Sequence, residues 1–216
     1  MSIITTVYVP DGIAMAADSR LTRTMHLADG AKELFTLSDN AQKIVLLRKA
    51  TIGVATCGSA IIEGRTVSDL LRIFDIDRVL ETDTVEEVAF KLNQFLLEKY
   101  PTYNVYFQVA GFENDEAYMY SVCKDEVKRE NYSEANSLIY GAAWRGEPQA
   151  TSKLLKDTHI NFEMMPLKDA VDFAEFIVDL TINYCRFQDG LSTCGGPIDI
   201  LVITKDYTKF LKHKIL

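Results

Sequence analysis

Two short apolar runs open the chain, residues 3–9 and 13–17, parted by Pro10-Asp11-Gly12. Proline presets the first torsion of a turn and Asp and Gly tolerate the others, so the runs read as the strands of a hairpin. A turn centred on Pro10 and Asp11 sets residue 2 opposite residues 19 and 20. Antiparallel neighbours lie about 5 Å apart at Cβ and diagonal ones about 7–8 Å, which brings the amino-terminal end beside Asp18-Ser19-Arg20.

The pattern beyond the hairpin alternates between strands and helices in blocks. Residues 21–40 keep no clean period and predict an excursion or a weak hairpin. Strands are predicted over 43–47 and 51–55, joined by a turn at Arg48-Lys49, with small residues at Thr56-Cys57-Gly58-Ser59 leading into a helix over 59–80 that is irregular around Gly64. Thr84 is an N-cap with Glu86 and Glu87 in the first turn, and that helix runs to Tyr100, where Pro101 stops it. Strands follow at 103–112, 117–122, 126–132 and 138–141, then a helix over 146–157 and a long one that Pro166 opens and that ends near Phe187. Strands at 198–204 and 207–213 close the pattern. Strands come in adjacent runs and helices in adjacent pairs, a pattern that disfavours a doubly wound sheet, whose βαβ series would alternate them. Two antiparallel sheets packed together with helix pairs outside would use every element: an α+β chain in four layers, αββα, over residues 1–216 as a single domain without repeat or linker.

Composition agrees with a packed core. At 216 residues and 48% hydrophobic content the chain is long enough to bury roughly 70% of its extended surface, and disordered, collagen-like and disulfide-stapled classes are excluded. Lys and Arg number 23 against 31 Asp and Glu, a net charge of −8, with no basic run longer than two residues. Nucleic acid is therefore not an expected partner, because phosphates need a positive surface. No stretch approaches the apolar length of a membrane span, and no basic-then-apolar leader is visible at the start. Cys57, Cys123, Cys185 and Cys194 form no CxxC pair and no Cys–His cluster with metal-ligand spacing. The expectation is a reduced, cytoplasmic protein with free thiols, no metal and no cofactor. His26, His159 and His213 stand alone in polar surroundings and read as surface residues.

Four segments together carry a resemblance. The hairpin with its Ala16-Ala17-Asp18-Ser19-Arg20 box, Gln42-Lys43-Ile44-Val45, the 52–59 run ending Thr56-Cys57-Gly58-Ser59, and Gly195-Gly196-Pro197-Ile198-Asp199 after a long helix resemble proteasome β-type subunits and the bacterial HslV-like peptidase, members of the N-terminal-nucleophile (Ntn) hydrolase superfamily. The resemblance implies an αββα sandwich, hydrolysis of a peptide or other amide, and a ring-like homo-oligomer. The chain has no phosphate-binding loop, so an ATP-dependent unfoldase, if one feeds it, is a separate partner.

The family's nucleophile is the first residue of the mature chain, ten positions before the glycine of the first turn; ten before Gly12 is Ser2. Thr5 and Thr6 resemble the usual Thr-Thr start but sit too close to the turn. Removal of Met1 before a small residue would free the Ser2 amine. By resemblance Asp18 and Lys43 are the acidic and basic companions of the nucleophile, and Cys57, where the family has glycine, supplies the backbone N–H of the oxyanion hole. Leu21, Ala41, Val45 and Ala55 correspond to the walls of the specificity pocket, which would then be apolar and suit a neutral side chain. Ala142 stands where the family has a supporting serine, and Leu191 and Cys194 where it has an Asp-x-x-Ser pair; Asp189 and Ser192 lie two residues early. Those departures leave open a second reading, a non-catalytic structural or assembly subunit on the same scaffold.

Overall fold

The Pro10-Asp11 turn closes β1 (Ile3–Val9) onto β2 (Gly12–Ala17) with Val9 opposite Gly12 and Ile4 opposite Ala17, the register expected from the turn chemistry. In this computed structural model, residues 2–26, 30, 32–135 and 137–214 are described; Met1 and the His26 side chain lie outside that set. The 21–40 excursion is a separate hairpin, β3 (Leu21–His26) and β4 (Lys32–Ser38). β5 (Ile44–Leu47) and β6 (Ile52–Gly58) follow, and the turn between them holds Arg48, Lys49 and Ala50 at positive φ.

The helix predicted over 59–80 begins late. Its first residues form two minimal strands, β7 (Ile61–Ile62) and β8 (Arg65–Thr66), turned at Glu63-Gly64, where both residues take positive φ. Helix α1 (Val67–Arg78) starts where the Thr66 hydroxyl accepts the Asp69 N–H. Helix α2 (Val85–Lys99) has the capping box read from Thr84 and Glu87. Strands β9 (Val105–Glu113), β10 (Glu116–Cys123) and β11 (Glu126–Arg129) form a meander. The strand predicted at 138–141 is reduced to a bridge between Tyr132 and Leu138, and the strand itself is β12 (Gly141–Gly146). Helix α3 (Gln149–Leu155), a 3-10 turn (Phe162–Met164), helix α4 (Leu167–Arg186), β13 (Asp199–Ile203) and β14 (Thr208–Lys212) complete the order.

Two antiparallel five-stranded sheets result, in the orders β12-β1-β2-β13-β14 and β11-β10-β9-β6-β5. Three clusters of buried side chains define the layers. Phe74, Leu92, Phe95 and Phe107 lie between α1/α2 and the second sheet. Ile3, Val7, Ala174 and Val178 lie between the first sheet and α4. Ile4, Met15, Met119 and Leu201 lie between the sheets. The sheets approach so closely at Gly53 that a Cβ there would sit 2.6 Å from Leu201 Cδ2. The chain is thus a mixed α+β sandwich, two antiparallel sheets flanked by helix pairs. β1 and β2 are buried along their whole length, so the ends of these strands are where side chains reach solvent. No helix among the described residues is long and apolar enough to cross a membrane.

Candidate active site

At the open end of β1 and β2 the Asp18 N–H donates to the Ile3 carbonyl at 3.2 Å, one step past the pair Ile4 and Ala17, and Ser2 follows at the end of that ladder. Asp18 organises this corner. Its side chain is fully buried, and Oδ1 accepts the Ile3 N–H at 3.0 Å and Lys43 Nζ at 2.6 Å. Its Oδ2 accepts the N–H of Arg20 at 3.2 Å and of Gly195 at 3.0 Å. One carboxylate therefore fixes the peptide bond that follows Ser2, the ammonium of Lys43 and the loop before β13. Lys43 is 4% exposed, so the ion pair is shielded from solvent screening.

The glycine pair of that loop has a local cause. Arg20 grips Asp39 through Nε–Oδ1 at 2.7 Å and Nη2–Oδ2 at 3.0 Å, and donates to the Ser192 carbonyl at 3.2 Å. That fork holds the Asp39 carboxyl below the usual carboxylate range. A Cβ on Gly195 would stand 2.6 Å from the Arg20 guanidinium carbon, and one on Gly196, at φ +77°, 2.4 Å from the Asp39 carbonyl. A side chain is excluded at Gly196, and one at Gly195 would displace the Arg20 guanidinium from its grip on Asp39.

Ser2 is 4% exposed, and its hydroxyl makes no hydrogen bond among the described residues. It lines two adjoining depressions. One is a cavity of about 340 Å³ between β6 and the start of α1, walled by Leu21, Ala41, Lys43, Thr56 and Cys57. The other is a wider groove of about 1130 Å³ running past Leu21, Gly58, Asn104, Gly146 and Thr193. Thr5 and Thr6 are elsewhere. Both are fully buried; the Thr5 hydroxyl donates to the Ala143 carbonyl at 3.3 Å and that of Thr6 to Gln108 Oε1 at 2.8 Å.

No protein-family model matches this chain, and no curated protein matches it.

The expected site residues divide. Ser2, Asp18, Lys43 and Cys57 come together at one corner, with Leu21 and Ala41 in the cavity wall. Val45 and Ala55 line neither depression: Val45 belongs to the cluster under α1 and Ala55 to the one between the sheets. Side chains alternate along a strand, and Thr56, one step along β6 from Ala55, joins Cys57 and Gly58 in the cavity lining; its buried hydroxyl has no partner among the described residues. The wall is accordingly more polar than four aliphatic positions would make it.

The departures also move. Ala142 pairs with Val7, well inside the sheet. The residues beside Ser2 are Gly146, opposite Ile3, and Glu147, whose N–H donates to the Ser2 carbonyl at 2.9 Å. Leu191 is surface-exposed and Cys194 is sealed in the core. Thr193 takes their place at the groove, donating to Glu147 Oε1 at 3.2 Å. Gly146, Glu147, Thr193 and Thr56 were not singled out in the sequence; Gly-Glu-Pro ahead of a helix was the available sign for the first two. His213 is not isolated, since it contacts Asp199. Among the described residues no group of three or more His, Cys, Asp or Glu is arranged to hold a metal ion.

Burial pushes the Cys57 thiol up to about 12, against smaller opposing effects of Lys43 and Arg145. A thiol with so high a value stays protonated at neutral pH and is a poor nucleophile. Two hydroxyl residues, Ser2 and Ser59, line both depressions, and Ser2 is the one next to the residues that Asp18 holds.

Gly146 allows the arrangement. At φ +114° its missing Cβ leaves the place that the Ser2 carbonyl fills: an added Cβ would lie 1.7 Å from that oxygen. Gly146→Ala is expected to destabilise the protein by at least about 2 kcal/mol from clash and left-handed strain. In thermal unfolding this corresponds to a fall in Tm of about 4–8 °C for a domain of this size. An unchanged Tm would show that Ser2 is not held against Gly146.

Proposed function

We propose that this chain is an N-terminal-nucleophile amide or peptide hydrolase of the proteasome β-type and HslV-like kind, on the Ntn αββα sandwich, with Ser2 as nucleophile after removal of Met1. The observation that carries the reading is the contrast among the early hydroxyls. Ser2 opens onto the cavity and groove beside a buried Asp18–Lys43 pair, whereas Thr5 and Thr6 are sealed and hydrogen-bonded inside the sandwich.

The chemistry follows from the groups. A free α-amine titrates near about 7.7–8, close to the optimum for a base at neutral pH. It takes the proton of its own Ser2 Oγ as that oxygen attacks the substrate carbonyl carbon. The Lys43 ammonium favours the developing oxyanionic character of Oγ and the neutral form of the amine, while Asp18 holds Lys43. Negative charge on the carbonyl oxygen is met by backbone N–H at the Cys57-Gly58 end of β6, Cys57 being the residue the family resemblance names. Collapse of the tetrahedral intermediate breaks the C–N bond, the amine passes its proton to the leaving nitrogen, and an ester on Ser2 remains for water to hydrolyse.

The cavity cations are both engaged, Lys43 with Asp18 and Arg72 with Gln42, which favours a neutral side chain at the position preceding the cleaved bond. The reading includes closed ring-like self-association.

The test is intact-mass analysis of untagged protein before and after treatment with a peptidyl β-lactone, which acylates activated hydroxyls. A mass beginning at Ser2 and a single adduct mapped to Ser2 are expected. Retained Met1, or an adduct on another residue, would overturn the mechanism. A chain that begins at Ser2 and takes no adduct would be a non-catalytic assembly subunit on this scaffold.

A further inference from the structure

A second buried Asp–Lys pair lies behind the first. Asp199, fully buried on β13, is the register partner of Ala17, the residue before Asp18. Its Oδ1 accepts the Lys214 N–H at 3.0 Å and lies 3.1 Å from His213 Nδ1, and its Oδ2 pairs with Lys214 Nζ. The His213 ring stacks on Phe210 with centroids 4.2 Å apart, holding the segment after β14 in place. The Lys214 side chain is 5% exposed, and its Nζ also donates to Ser19 Oγ at 2.8 Å.

Ser19 joins several segments of this corner. Its own hydroxyl proton goes to the Pro197 carbonyl at 2.7 Å, leaving the oxygen lone pairs for Lys214. Its N–H donates to the Gly195 carbonyl at 2.9 Å, and its carbonyl accepts the Ala41 N–H at 2.9 Å. Ser19 thus ties the cavity wall at Ala41 and the loop at Gly195 to the residue beside Asp18.

A buried ion pair adds little stability over an apolar pair of the same shape, so stability alone does not account for charges at 199 and 214. We propose that Lys214 is a positioning residue for the Ser2 site, holding the Asp18-Ser19-Arg20 turn through the Ser19 hydroxyl. The proposal rests on the hydrolase reading for its kinetic consequence and on geometry alone for its structural one. A misplacement of about 1 Å at a reacting centre costs up to about 10²-fold in rate, and loosening one of several ties is expected to cost about tenfold.

Because Lys214→Met alone would strand a buried carboxylate, the variant is Asp199→Asn/Lys214→Met, compared with Ser19→Ala, with all three changes combined, and with Ser19→Thr. In steady-state hydrolysis of a fluorogenic peptide, Ser19→Ala and the double variant should each lower kcat about tenfold with KM within about twofold. The combined variant should be no worse, since the residues act as one tie, and Ser19→Thr should restore the rate. Wild-type kcat in Ser19→Ala, or multiplied losses in the combined variant, would overturn the assignment. Native-state amide exchange separates the two proposals. In the double variant the Ala41 and Ser19 amides, the two N–H groups of the tie, should exchange at least about tenfold faster while Val109 is unchanged. That result supports the tie even in a protein that cleaves nothing, where only the hydrolase reading falls; unchanged exchange at both amides overturns the tie.

Discussion

Ser2→Ala is expected to abolish peptide turnover and β-lactone labelling while leaving the far-ultraviolet spectrum and Tm within error of wild type. The loss should exceed about 10⁴-fold, because one group supplies the bond to the acyl carbon and nothing nearby replaces it. The fold should be indifferent: the Ser2 hydroxyl has no hydrogen bond among the described residues, and the backbone bond from Glu147 to the Ser2 carbonyl survives the substitution. Ser2→Thr keeps hydroxyl and amine and should retain measurable turnover. Thr5→Ala should lose stability from a buried hydrogen bond, by about 1 kcal/mol, without a matching loss of kcat. Turnover that persists in Ser2→Ala and vanishes in Thr5→Ala would transfer the nucleophile to the rival position.

The Asp18–Lys43 pair carries the second large effect. Lys43→Met is expected to lower kcat/KM by at least about 10²-fold, as removal of electrostatic groups does elsewhere. It should also reduce stability by about 3–5 kcal/mol, since Asp18 would be left charged and buried. Asp18→Asn should be as damaging for a different reason. Asp18 accepts two donors at each oxygen, so the amide nitrogen of Asn must face two donors in either orientation. Combining the changes should cost little more than the worse single variant. Kinetics and urea titrations on all three variants separate the effects: wild-type kcat in a folded Lys43→Met protein would remove Lys43 from the chemistry.

The first hairpin was legible because Pro10-Asp11-Gly12 admits one turn and hence one register, from which the neighbourhood of Ser2 and Asp18 follows. The capping box at Thr84 was legible for the same local reason. β7 and β8 were not: Ile61, Ile62 and Val67 fit a helical stripe as well as two short strands, and only the positive φ at Glu63 and Gly64 decides. β12 was misplaced because Gly-Ala-Ala-Trp has weak strand propensity and owes its conformation to pairing with β1. Ala142 was named by resemblance alone, and the β12 register puts Gly146 and Glu147 beside Ser2 instead. Of the pocket positions taken from the resemblance, Leu21 and Ala41 line the cavity, while Ala55 faces the other sheet and Thr56, one step along β6, stands in the lining. The Asp18–Lys43 pairing itself, 25 residues apart in sequence, was reachable only through resemblance, because composition and periodicity say nothing about which buried charges meet.

The bond from Gly195 to Asp18 spans 177 residues, and β2 lies between β1 and β13 in its sheet. Contacts of such long range form late, since loop closure must be met before they contribute. The first hairpin can assemble early and bring Ser2 near Asp18, but the loop that locks Asp18 arrives only when nearly the whole chain has been made. A chain folded short of residue 195 therefore holds Ser2 beside an Asp18 that lacks one of its anchors, and the geometry of the corner is tied to the completion of its own fold.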